Sequence, residues 1–238
     1  MKNSTTTLLI ILGILIGCGA LAAQTQGSAK WTKNFNRFGN MNPSEEMYMR
    51  NYLMAEEPFK IIGNLYFVGN TWCSSHLIDT GKGLILLDTP ALPEFPYLLD
   101  SIYKLGFKPK DIRYIIVSHA HSDHYGAVKA LVLMTGAKTF MGEIDAKVMK
   151  TNDVKQGDKK YSQQVRFNEI FEPDVLLKDG DTIELGNTKI RCVLTPGHTD
   201  GVMSHFWEAQ EGGRTYRISI TYLRWSPLIA YVQKMSLA

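Results

Sequence analysis

The sequence predicts an α/β fold, of the mixed α+β kind, built from layered sheets with helices outside. Three observations carry this. Strand-like and helix-period runs alternate between residues 95 and 150, the mark of a layered α/β sheet. Hairpins split by Gly-Asn pairs stand on either side of that stretch. A short continuous apolar run, IRYIIV (112–117), feeds straight into a polar, histidine-rich segment, SHAHSDHYGAV (118–128).

In chain order, FKIIGNLYFVG (59–69) holds two β-rich runs divided by Gly63-Asn64, a two-residue hairpin turn. SSHLIDTGKGLILLDTP (74–90) repeats the pattern, with turn residues from Thr80 to Gly83 and a buried run ending in Asp88. The period then changes. Leu98, Leu99, Ile102, Tyr103 and Leu105 fall on one helical face, and Gly106 suits the cap that ends it. After the strand 112–117, GAVKALVLMTG (126–136) reads as a helix closed by Gly136, KTFMG (138–142) as a strand and EIDAKVMK (143–150) as a helix. The stretch 182–201 is a hairpin around Gly186-Asn187 followed by a loop, and VMSHFWEA (202–209) is a strand. No internal repeat is visible.

At 238 residues the chain has room for one large domain. Hydrophobic residues make up 45% and charged ones 21%, as in ordinary globular proteins. The net charge of +3 is spread along the chain without basic runs, which argues against a nucleic-acid partner. Residues 1–22 read as a signal peptide, with Lys2 ahead of an apolar run too short to span a bilayer. LIGC (15–18) resembles a lipobox that would leave Cys18 lipidated; ALA (20–22) suits ordinary cleavage; an uncleaved anchor is the third possibility. All three place the domain outside the cytoplasm, in a periplasm. Residues 23–57 read as an irregular arm, 58–220 as the domain and 221–238 as a separate tail. Cys73 and Cys192 lie in strand-like apolar runs and read as buried free thiols.

Three of the six histidines stand between residues 119 and 124. Side chains alternate along an extended segment, so His119 and His121 point the same way and form a metal pincer. Asp123 and His124, at the turn into the next helix, face a second position nearby. Imidazoles with one carboxylate suit zinc, and a catalytic zinc keeps one position open for water. The bland alternative is a solvated polar loop. His76 and His205 read as strand histidines, the first half-buried, neither a ligand.

His119-x-His121-x-Asp123-His124 resembles the signature of the metallo-β-lactamase superfamily. PFKIIGNLYFVG, GKGLILLDTP and LTPGHTDG, the last carrying His198, resemble further parts of that family, from Pro58 to Trp207. The wording is most similar to the β-lactamase subclass without a cysteine ligand. The resemblance implies an αββα sandwich with a dinuclear zinc site at the edge of its sheets. His119, His121 and His198 would hold the first zinc, and Asp123 and His124 the second. A zinc-bound hydroxide, oriented by Asp123, would open the amide of a small-molecule β-lactam. Residues 70–73 would lie beside the substrate. Asp88 either fixes a motif imidazole through its other nitrogen or caps the strand end.

The pattern also departs from the family. No histidine follows His205, so the second zinc lacks its third protein ligand, and one tight ion per chain is expected. The last eighteen residues match nothing in the family, so the sandwich is expected to be incomplete at its C-terminal part, with TYRISI (215–220) left as an unpaired edge and Trp225, Leu228, Ile229, Tyr231 and Val232 forming a short helix. Two other functions stay open: a lactonase or thioesterase, which adds a bridging aspartate for which Asp174, Asp179 and Asp181 are candidates, and an inactive zinc-binding remnant. No protein partner is implied.

Overall fold

A computed structural model describes residues 55–71, 73–156, 170–222 and 229–234. The expected signal segment with Cys18, most of the expected arm, Trp225 and Leu228 lie outside the described residues. The two hairpins form as the turn residues require: β1 (Phe59–Ile62) pairs with β2 (Leu65–Phe67), and β3 (His76–Asp79) with β4 (Leu84–Leu87). Next come helix α1 (Phe95–Lys104), β5 (Ile112–Val117), a single helical turn α2 (Ser122–Tyr125), α3 (Val128–Thr135), β6 (Lys138–Gly142), α4 (Glu143–Gln156) and β7 (Val175–Leu177). Strands β8 (Thr182–Leu185), β9 (Thr188–Leu194), β10 (Met203–Glu211), β11 (Arg214–Thr221) and β12 (Ile229–Lys234) follow.

Among the described residues these strands make two sheets, of seven strands in the order β1 to β7 and of five in the order β12-β11-β10-β9-β8. The first sheet is antiparallel up to β4 and parallel from β4 to β7; the second is antiparallel throughout. One core fills the space between the sheets, with Ile78, Ile85, Leu87 and Ile116 of the first facing Ile190, Met203, Trp207 and Ile218 of the second. Another lies between the first sheet and the helices, with Leu86, Ile115 and Val117 against Leu98, Ile102, Val128 and Leu131. Covered on both faces, β4 is a continuous apolar run, LILL, buried at every position. Across β10 the covering is one-sided: Trp207 and Ala209 are buried, while Phe206 and Glu208 face outward. The fold is thus the expected mixed α/β sandwich. No helix among the described residues is long and apolar enough to cross a membrane.

Four expectations need correction. The strand around TYRISI is not an open edge: β12 pairs with β11 from Tyr216↔Lys234 to Thr221↔Ile229. The segment Ile229–Lys234 is therefore a strand and not part of a helix. Its apolar residues fit both periods, but Ile, Tyr and Val favour the pleated state, and the free donors and acceptors of β11 reward pairing. Tyr103, placed on the buried face of α1, is 60% exposed; Leu98 and Ile102 alone of the expected face are fully buried. Cys73 is in the loop between β2 and β3, not in a strand, although it is buried and free, as is Cys192.

The parallel strands direct the chain toward one edge. Asp88 follows β4, Ser118 and His119 follow β5, and the Met203 amide of β10 donates to the Ser118 carbonyl at 3.0 Å, tying the second sheet to that edge. Ligand sites of open α/β sheets form there, where strand ends leave side chains converging on a crevice.

Candidate metal centre

Asp88 is the centre of the arrangement. Its φ is +58°, the one positive value at a non-glycine residue among those described. Aspartate tolerates this region better than most residues, and such strain persists where surrounding contacts hold it. Asp88 Oδ1 accepts the Ser118 amide at 2.7 Å, and Oδ2 accepts the Ser118 hydroxyl at 2.8 Å. His124 Nδ1 lies 2.9 Å from Oδ2, and the Tyr222 hydroxyl donates to the same oxygen. Burial alone would raise this carboxyl, but the charge and hydrogen bond of His124, with the hydrogen bonds of Tyr222 and the Ser118 amide, hold it below its ordinary range. An ionised carboxylate only accepts, so His124 carries its proton on Nδ1 and turns Nε2 to the crevice. Burial opposes charge on His124, yet Asp88 outweighs it and raises its pKa.

The same network fixes His119. Ser118 gives its hydroxyl hydrogen to Asp88, so at the 2.8 Å contact with His119 Nδ1 the serine oxygen must accept. His119 is thereby protonated on Nδ1 and presents the lone pair of Nε2. That nitrogen is 3.0 Å from His121 Nδ1, which is 3.0 Å from His198 Nε2. Burial first, then neighbouring imidazoles, lower the pKa of His119 far below its ordinary value. Burial likewise lowers His121 and His198, His198 with help from His124. Three neutral imidazoles with converging nitrogens are the ligand form. The donor set therefore fits a zinc-like cation, which resolves the crowding of lone pairs.

Asp145, at the start of α4, holds the two histidine loops together. Its Oδ2 accepts the Ala120 amide at 2.9 Å and the Thr199 hydroxyl at 2.6 Å, and Oδ1 accepts the Gly201 amide at 3.0 Å. Ala120 lies between His119 and His121, and Thr199 follows His198, so one fully buried carboxylate sets the spacing of the pincer against the third imidazole. Gly201 is required here, because a Cβ would stand 2.4 Å from Asp145 Oδ1.

On the other side of His124 lie Asp123 and Cys73. His124 Nε2 is 3.8 Å from Asp123 Oδ2 and 3.6 Å from Cys73 Sγ, and ligand atoms of the three lie within 4.8 Å of one another. The expected pair Asp123 and His124 thus has a third neighbour. Asn70 positions it: the Cys73 amide donates to Asn70 Oδ1 at 2.6 Å, and Asn70 Nδ2 donates to Glu94 Oε2 at 2.5 Å. A Cβ on Gly69 would meet the Ser75 nitrogen at 2.4 Å, so the tight loop needs glycine at that position. Burial pushes the Glu94 carboxyl up to about 7, against the Asn70 hydrogen bond.

The structure brings together all five residues expected at the site: His119, His121 and His198 in one group, Asp123 and His124 in the other. Asp88 acts through His124, as one of its two readings required. His76 and His205 stand in neither group; His76, expected half-buried, is fully buried, and burial lowers both rings to about 4. Asp174 accepts from Thr139, Asp179 from the Leu194 amide and Asp181 from the Lys178 amide, so none of the three candidate bridging aspartates belongs to either group. Two residues, Asp145 and Tyr222, escape sequence reasoning, which places Cys73 beside the substrate without a role. Asp145 reads as an ordinary acid in a first helical turn. Cys73 stands 50 residues before its partners in an unremarkable loop. Tyr222, assigned to the unmatched tail, is buried with its ring 5.1 Å from His119.

A family model described as the metallo-beta-lactamase superfamily matches residues 69–210, and the chain belongs to that superfamily. Its fold is similar to that of BJP-1, a subclass B3 metallo-beta-lactamase of Bradyrhizobium japonicum, with 32% identity and a TM-score of 0.64 over 72% of this chain and 64% of that one. It is similar too to the metallo-beta-lactamase GOB-18 from Elizabethkingia meningoseptica, at 37% identity and a TM-score of 0.63, over 76% of this chain and 64% of that one. A hydroxyacylglutathione hydrolase of Francisella tularensis subsp. novicida is 30% identical over 97 residues, 40% of this chain and 29% of that protein. The chain therefore spans less than two thirds of each of these relatives.

Proposed function

We propose that the chain is a zinc-dependent hydrolase that opens the amide bond of β-lactam antibiotics in the periplasm. The convergence of His119 Nε2, His121 Nδ1 and His198 Nε2 beside the Asp123–His124 pair carries this reading. Zinc bound there supplies a Lewis acid and brings the pKa of a coordinated water to about 7. The residues of the chain do the rest. Asp88 and Ser118 lock the imidazole tautomers, and Asp145 fixes the distance between the histidine loops. Asp123, part-exposed at the crevice, orients the attacking water, takes its proton and returns it to the leaving nitrogen. The export signal after Lys2 supports a periplasmic place of action, where such drugs arrive.

Two solved β-lactamases that share the fold over more than two thirds of this chain favour a lactam over a thioester. So does the engagement of Asp174, Asp179 and Asp181 elsewhere, which removes these three as the extra carboxylate of the thioesterase and lactonase pattern. Assay of the zinc-loaded chain on a chromogenic β-lactam, an S-acyl glutathione and a lactone decides the matter. Lactam turnover in excess of the other two is expected. Preference for the thioester or the lactone would move the function to that substrate, and silence on all three from folded, metal-loaded protein would mark an inactive remnant.

A further inference from the structure

We propose that Cys73 is a metal ligand, forming a second cation position with Asp123 and His124. The inference rests on reading His119, His121 and His198 as the first metal position.

Three unlike donors gather at one place. Cys73 Sγ is 3.6 Å from both ring nitrogens of His124, and ligand atoms of Cys73, Asp123 and His124 lie within 4.8 Å of one another. The Asp123 carboxylate completes a sulfur, nitrogen and oxygen set, which suits zinc and related borderline cations over magnesium or calcium. The Cys73 and His124 donors are pre-placed. Asp88 holds His124 by Nδ1 and leaves Nε2 free to bind, and Asn70 grips Cys73 from its own loop.

Without an ion the thiol stays protonated and donates to the Asp123 carbonyl at 2.7 Å. Burial, then the charges of Asp123, Asp88 and Glu94, hold it there. Those same carboxylates attract a cation, and a divalent ion reverses the local balance. On binding, the sulfur–hydrogen bond breaks, the proton leaves to solvent and the sulfur lone pair goes to the metal, with no change of oxidation state. The site would hold two cations per chain through unlike ligand sets, one of imidazoles alone and one with a thiolate.

Cobalt(II) titration of the full chain under reducing conditions tests this by absorption. Two ions per chain are expected, with visible bands from both and a near-ultraviolet thiolate-to-cobalt band from the second. Cys73→Ser should abolish the thiolate band and weaken the second ion at least about tenfold while the first ion still binds. Cys18→Ala and Cys192→Ala should keep the band. Two ions without a thiolate band, a band that survives Cys73→Ser, or a single ion would overturn the assignment while leaving the histidine position intact. Binding of no cobalt would fell the first position as well. Should Cys73→Ser fail to fold, the double variant Cys18→Ala/Cys192→Ala decides: it contains Cys73 as its one cysteine, so the band must remain.

Discussion

Asp145→Ala is expected to weaken zinc at the three-histidine position by about 10–100-fold, although Asp145 touches no metal. The carboxylate accepts from Ala120, Thr199 and Gly201, so its loss frees the loop bearing His119 and His121 from the loop bearing His198. It also leaves three donors without an acceptor in a buried setting, which costs about 2–5 kcal/mol of stability in all. Competition with a zinc indicator and urea unfolding read the two effects separately. Asp145→Asn keeps one acceptor and turns an amide group toward a donor, so it should fall between. Unchanged zinc affinity in the alanine variant would show that the loops keep their spacing without the carboxylate.

Asp88→Asn should strike the other half of the site. The left-handed backbone at φ +58° suits asparagine as well as aspartate, so the substitution removes charge without adding backbone strain. The amide offers one accepting oxygen where the carboxylate serves four donors, from Ser118 twice, His124 and Tyr222. His124 loses the anion that fixes its proton on Nδ1, and the second cation should bind about 10–100-fold more weakly. Turnover should fall with it, while the first ion, tied to Asp88 only through Ser118, should change less. Zinc stoichiometry under competition is the readout. Equal losses at both positions would mean that Asp88 governs the whole edge of the sheet and not His124 in particular.

Much of this site could be read from the sequence because its donors are local. His119, His121, Asp123 and His124 share one strand end, where alternation and the following helical turn settle their directions within six residues. The hairpins and α1, α3 and α4 are legible from turn residues and period, while α2 reads as a turn into the next helix. What local pattern cannot reveal is the meeting of distant segments. Asp145 matters because α4 packs its first turn against two loops, one before it and one after. Cys73 lies beside His124 because Gly69 and Asn70 fold a short loop onto the edge of the sheet. The C-terminal segment misled for another reason: its apolar residues satisfied a helical spacing, and the open edge of β11, a feature of the tertiary structure, chose the strand.

The most direct measurement is hydrolysis of a chromogenic β-lactam by the purified chain, before chelation, after it, and after zinc is restored. Turnover that vanishes with the chelator and returns with zinc is the expected result. Turnover that survives complete removal of metal, or none from folded chain carrying its zinc, would contradict a metal-dependent lactam hydrolase built on His119, His121 and His198.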